Sequence, residues 1–125
     1  MRYILTLFSV ASVIAGCTTT TIFYKNYESA KKILDSAYER TEYEAYSNKF
    51  LVSQNQQRLD DNSGCYEIEK GTKVDLILTI NEAGVISGAD TSTDTPKARC
   101  FRKAYIGAKM PIPPFSPIAI NLIMN

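Results

Sequence analysis

"VDLILTINEAGVI", Val74–Ile86, is the stretch on which the reading of this chain turns. Val74, Leu76, Leu78 and Ile80 stand at every second position, the period of a strand with one buried face. "NEAG" then reads as a turn in which Gly84 is free to take a positive φ, and Val85-Ile86 return as an antiparallel partner. Just upstream, "CYEIE" at 65–69 suggests a short extended piece, closed by a break at Gly71-Thr72.

On the C-terminal side, Asp94 or Thr95 is placed to cap a helix with Pro96 in its first turn, where the missing N–H does no harm. Cys100, Phe101, Ala104 and Ala108 fall on one side of it, Arg99, Arg102 and Lys103 on the other. Pro111, Pro113 and Pro114 end that helix and force an extended crossing. "IAINLIMN" alternates again, with Ile118, Ile120, Leu122 and Met124 in phase, as a closing strand.

On the N-terminal side, Lys25 to about Phe50 carries Tyr27, Ala30, Leu34, Ala37, Tyr38 and Ala45 at helical spacing and no proline or glycine. The tyrosines are either a binding surface or the face by which the helix docks on a sheet. "SQNQQRLDDNSG", 53–64, holds one apolar residue among turn formers and reads as a loop or a fraying helix end. The order is helix, two strands, helix, strand: an α+β fold, a small antiparallel three-stranded sheet packed against two helices.

Composition narrows the chemistry. With 125 residues and 45% apolar content the chain is about one domain with a compact core. Histidine and tryptophan are absent, and tyrosine occurs eight times. Without histidine the commonest general base and metal ligand are missing, no serine or cysteine nucleophile has a base, and no catalytic site is expected. A net charge of +1 gives no reason to expect nucleic acid. "DTSTD", Asp90–Asp94, alternates oxygen ligands as a calcium loop does, but lacks the central glycine and the distal glutamate; the other reading is a turn with a helix cap, and no metal or other cofactor is expected. Residues 17–69 carry six basic and nine acidic side chains, residues 70–125 seven and four. The Arg99, Arg102 and Lys103 face is either a solvated helix surface or a contact for an acidic partner or anionic headgroups.

Of three cysteines, Cys17, Cys65 and Cys100, at least one lies outside any internal pair. "MRYILTLFSVASVIAGC" has a charge at Arg2, an apolar run from Tyr3 to Ile14, and then small residues, the layout of a secretory signal. The alternative is a membrane helix, since residues 3–24 are uncharged and long enough to cross, but Gly16 and the β-branched "TTTT" oppose it. Ile14-Ala15-Gly16-Cys17 resembles the lipobox of bacterial lipoproteins. The resemblance implies a signal peptide at 1–16, cleavage between Gly16 and Cys17, S-diacylglycerol and N-palmitoyl groups on Cys17, and a short tether at 17–24. Two or three acyl chains anchor a protein durably where one does not. Thr18 in place of aspartate implies sorting to the outer membrane of a Gram-negative cell, facing the periplasm.

Residues 25–125 resemble the C-terminal periplasmic domain of the TolA and TonB energy transducers, TolA more closely. The likeness rests on the strand "VDLILTINEAGVI", Cys100 early in the second helix, "MPIPP" after it, the closing strand and the tyrosine-bearing first helix. It implies a Cys65–Cys100 disulfide in an oxidising periplasm rather than a redox pair, because no C-x-x-C spacing is present. Two departures stand out. Cys65 lies nine residues before Val74, where the family places the partner cysteine, and neither a membrane helix nor a long stalk is expected here. The resemblance thus implies a lipid-anchored, non-enzymatic module that binds another envelope protein of the Tol-Pal type and supports envelope integrity. The alternatives are a TolA mimic that meets TolA-binding toxins or phage proteins as an immunity or exclusion factor, and a purely structural envelope lipoprotein.

Overall fold

The central strand takes one backbone partner from the hairpin that follows it and the other from the end of the described chain. In the computed structural model β1 (Val74–Ile80) is flanked by β2 (Ile86–Thr91) and β3 (Ile118–Met124), both antiparallel to it, in the order β2-β1-β3. The backbone is described for residues 15–125 and the side chains for residues 26–125; the expected signal segment lies, up to residue 14, outside the described residues. Three helices complete the fold: α1 (Ala15–Tyr38), α2 (Tyr43–Gln57) and α3 (Pro96–Tyr105). The α+β class and the three-stranded antiparallel sheet are those the residue pattern calls for.

Both faces of β1 are covered. Val74, Leu76, Leu78 and Ile80 lie opposite Met124, Leu122, Ile120 and Ile118 of β3 and join Phe50, Phe101 and Tyr105 in the main core. Ile77, on the other face, is also buried, against Ala119 of β3 and Ala30 and Leu34 of α1. The strand expected to bury one face therefore buries two, because α1 lies on one side of the sheet and α3 and α2 are on the other. Such burial of an aliphatic side chain contributes about 1.5–3 kcal/mol.

The single helix expected from Lys25 to Phe50 is two. The buried residues of α2 are Tyr46, Phe50 and Gln54, whereas Tyr38 and Ala45, which carried the apparent periodicity through this region, are exposed. At about 100° per residue, Tyr46 would stand on the opposite side of an unbroken helix from Ala37, which is buried in the same core. The break at 39–42 turns both faces inward. α2 also runs to Gln57, into the stretch expected to be a loop or a fraying helix end, because Gln54 is buried as the acceptor of the Tyr105 hydroxyl. A polar residue with a buried partner is invisible to hydropathy. At the other end, the backbone is already helical from Ala15, so the 17–24 segment expected as a short tether is a continuation of α1; once a helix is nucleated, each β-branched threonine costs only a few tenths of a kcal/mol.

The extended piece expected at 65–69 is instead a 3-10 turn, Cys65–Glu67, bracketed by Gly64 at φ 74° and Glu69 at φ 46°, left-handed positions that a strand does not accommodate. The turn is fastened to α3 twice. Cys65 and Cys100 form a disulfide, as the resemblance implied, with Cα atoms 5.6 Å apart. Lys97, fully buried, donates through Nζ to the carbonyl oxygens of Thr72 (2.7 Å) and Glu69 (3.3 Å). Thr95 caps α3, its side chain accepting from the Ala98 N–H at 3.1 Å, and Pro96 is the first helical residue.

The turn after β1 is held by Asn81, whose Oδ1 accepts from the N–H groups of Ala83 and Val85, both at 3.0 Å. Gly84 there has φ 83°, and a Cβ on it would lie 2.5 Å from the Met110 carbonyl oxygen. Gly71 has φ 85° with nothing within 4 Å of such a Cβ. Gly84→Ala should therefore destabilise the protein by about 2–4 kcal/mol, and Gly71→Ala by only about 1–2 kcal/mol. Urea unfolding of the two variants checks this, and equal losses would show that the close approach at Gly84 is unimportant.

Candidate functional site

A three-stranded sheet has two edges, and in this protein they differ. The β2 edge is partly occupied by the chain that follows α3: the Ile86 N–H donates to the Ala108 carbonyl (2.9 Å), the Gly107 N–H to the Ile86 carbonyl (2.8 Å) and the Met110 N–H to the Gly84 carbonyl (2.7 Å). Beyond that cover, the register slips between Thr79 and Ile80, and the strand carries Gly88 and the half-buried Asp90. Slips, glycines and inward charges are the devices by which edge strands resist pairing with another chain.

The β3 edge has none of them. Its seven residues keep an unbroken register against β1, and among the described residues no strand lies on its outer side. From Met110 to Asn125 no side chain is charged. Ile123 is 54% exposed. Every second N–H and C=O of such a strand points away from its one neighbour, ready to pair with an extended segment. At the start of β3, between α1 and residues 115–117, opens a groove of about 420 Å³ lined by Lys32, Ile33, Ser36, Arg40, Phe115 and Pro117, among others.

The structure brings Arg99, Arg102 and Lys103 together on the outer side of α3, beside Ala89 of β2. Two of the three are engaged within the molecule. Arg102 donates to Thr91 Oγ1 (2.7 Å) and Asp94 Oδ1 (2.9 Å), and Arg99 donates to the Asp94 carbonyl (3.0 Å) and lies 3.3 Å from its carboxylate. Lys103 is exposed and forms no ion pair among the described residues. The cluster is thus a capped helix face tied to one aspartate more than an open basic surface. Asp94 is drawn into these ion pairs and Asp90 lies in β2; among the described residues no group of three or more Cys, Asp or Glu is placed to hold a metal ion.

Tyrosine serves packing here. Tyr46 donates to the Pro111 carbonyl at 2.7 Å, Tyr66 to Asp60 at 3.1 Å and Tyr27 to Asp75 at 3.1 Å. Burial pushes Tyr46 up to about 12, and burial with the neighbouring Asp60 does the same for Tyr66, so both stay protonated at neutral pH. Sequence reasoning did not distinguish the two sheet edges and passed over Lys32, Arg40 and Phe115; the legible signal was the uncharged run from Met110 onward. No family model, curated protein or solved structure matches the chain. Among the described residues no helix is long and apolar enough to cross a membrane.

The two aspartates near Arg102 titrate in opposite directions. Hydrogen bonding to Arg102 holds Asp94 below its ordinary value against the opposing effect of burial, while burial raises Asp90 and the charge of Arg102 only partly offsets it. A depressed carboxylate stabilises the fold above its unfolded value of about 3.9, and that contribution is lost as pH falls through the lower folded value. A raised one begins to cost stability as pH rises through the unfolded value, and the cost is complete above its higher folded value. Asp94→Asn should therefore lower stability at pH 7 and have little effect at pH 2, whereas Asp90→Asn should raise it at pH 7, with the gain vanishing below about pH 4. Urea unfolding across that range reads both signs, and a loss at pH 7 for Asp90→Asn would contradict the assignment.

Proposed function

We propose that this protein is a lipoprotein of the Gram-negative outer membrane, acylated on Cys17 after cleavage at Gly16, whose TolA-like module binds an extended segment of another envelope protein along β3. The observation that carries the reading is the asymmetry of the sheet: β2 is covered at its start and interrupted, β3 is bare, regular and uncharged. Main-chain pairing of this kind gives affinity without a deep pocket, and the side-chain pockets beside the strand give specificity. The Ile14-Ala15-Gly16-Cys17 motif supports the anchor. With α1 helical from Ala15, Cys17 sits eight residues from Lys25, about 12 Å at 1.5 Å per residue. The module is then held near the membrane surface, which suits an adaptor and not a carrier of force across the periplasm.

Photo-crosslinking in living Gram-negative cells tests both halves. A photoreactive residue at Ile123 should crosslink to a specific envelope protein while one at Ser87 on β2 does not, and Cys17→Ser should lose the lipid mass and leave the membrane fraction. Equal labelling from the two edges, or no envelope protein from Ile123, would overturn the binding reading. Retention of an intact Met1 and an unmodified Cys17 would overturn the anchor.

A further inference from the structure

We infer that the groove at the start of β3 selects a segment carrying an acidic side chain, so that the partner is an extended, acidic stretch of polypeptide; this rests on β3 being the binding edge. The groove's charged lining consists of two cations, Lys32 and Arg40, with no carboxylate among the lining residues. Lys32 is exposed and makes no ion pair among the described residues. Arg40 lies with its guanidinium carbon 4.1 Å from the centre of the Phe115 ring. Its Nε is 3.6 Å from Glu42, a half-exposed pair of the kind that contributes little, and its two Nη groups hydrogen-bond to no described residue. A guanidinium held flat on a ring keeps its outer N–H fork free for a carboxylate.

The geometry of strand addition brings a side chain there. An added strand runs about 4.8 Å outside β3, and its alternate side chains project to the two sides of the sheet. Ala119, fully buried, packs in one cluster with residues of α1 that include Ile33 of the groove lining. A residue of the added strand that projects to the α1 side near the start of β3 would approach the groove that Lys32 and Arg40 line. A glutamate or aspartate at that place meets two cations; a lysine or arginine meets like charge, which both weakens binding and rejects the wrong register.

Isotope-labelled full-length protein in zwitterionic nanodiscs, titrated with synthetic nine-residue peptides of alternating threonine and valine, tests this by NMR. One peptide has a central glutamate and the other a central lysine. The amides of 118–124 should shift with the glutamate peptide, which should bind at least about tenfold more tightly than the lysine peptide at low salt, a preference that shrinks as salt is raised. Lys32→Gln should reduce the preference, and Lys32→Glu with Arg40→Glu should reverse it. Shifts in 118–124 of equal strength for both peptides would overturn the acidic selection and leave the edge reading standing. Absence of shifts in 118–124 with either peptide would remove the edge reading and this inference with it. Concentration-dependent dimerisation through β3, read by sedimentation, would make a second copy the occupant and count against both.

Discussion

β1 has a strand on each side and helices over each face, and every other element takes its place from that requirement. A strand whose Val, Leu and Ile side chains are buried on both faces, with only Asp75 and Thr79 partly exposed, needs neighbours from 86–91 and 118–124 and covers from both sides of it in the chain. α1 supplies one cover. α3 supplies the other, and α2 reaches the same core only because the chain breaks at 39–42. Polar groups that fall inside are bonded: Asn121 donates to Asp75 Oδ1 at 2.6 Å and to the Leu76 carbonyl at 3.0 Å, and Tyr27 donates to Asp75 from α1.

The approach to β1 is held from α3. Residues 64–72 contain three positions of positive φ, at Gly64, Glu69 and Gly71, and offer little apolar surface of their own. Disulfide Cys65–Cys100 spans 35 positions and, in the chain-entropy picture, stabilises the fold by about 3–4 kcal/mol. Lys97, one turn earlier on α3, fixes the same segment through two carbonyls. Burying an ammonium without a carboxylate beside it costs several kcal/mol unless charge-assisted hydrogen bonds replace its water, and that is the task of Thr72 and Glu69. Covalent and polar ties converge there, so β1 enters the sheet at a fixed height.

The binding proposed for β3 follows from how the sheet ends. The return of the chain at 107–110 covers part of β2 and takes up its hydrogen-bonding groups, and Arg102, which the sequence offers as a contact residue, is spent on Thr91 and Asp94. β3 is left with open backbone groups, apolar side chains and a cationic groove at its start. A long uncharged edge is an aggregation hazard unless something occupies it. Confinement near a membrane by a lipid on Cys17, as proposed, would limit encounters with other copies while leaving the edge open to an envelope partner.

The strands, the turn at Asn81–Gly84, the Thr95 cap and the two-strand-helix-strand order were legible because they follow from local rules: alternation, positive φ at glycine, proline at a first helical turn. The class of fold follows from them. Hydropathy misjudged Gln54 and Lys97, and strand alternation misjudged Ile77, for one reason, that each is buried by a partner distant in sequence: a tyrosine hydroxyl, two loop carbonyls, a helix on the second face. The helix break was hidden because exposed Tyr38 and Ala45 mimic a continuous stripe. What the sequence determined by itself is the set of elements and the motif that proposes a lipid on Cys17. What only the tertiary structure decided is which edge of the sheet is open and which cations are free to act, since pairing at an edge and neutralisation of a charge are properties of neighbours, and neighbours are fixed only when the chain has closed on itself.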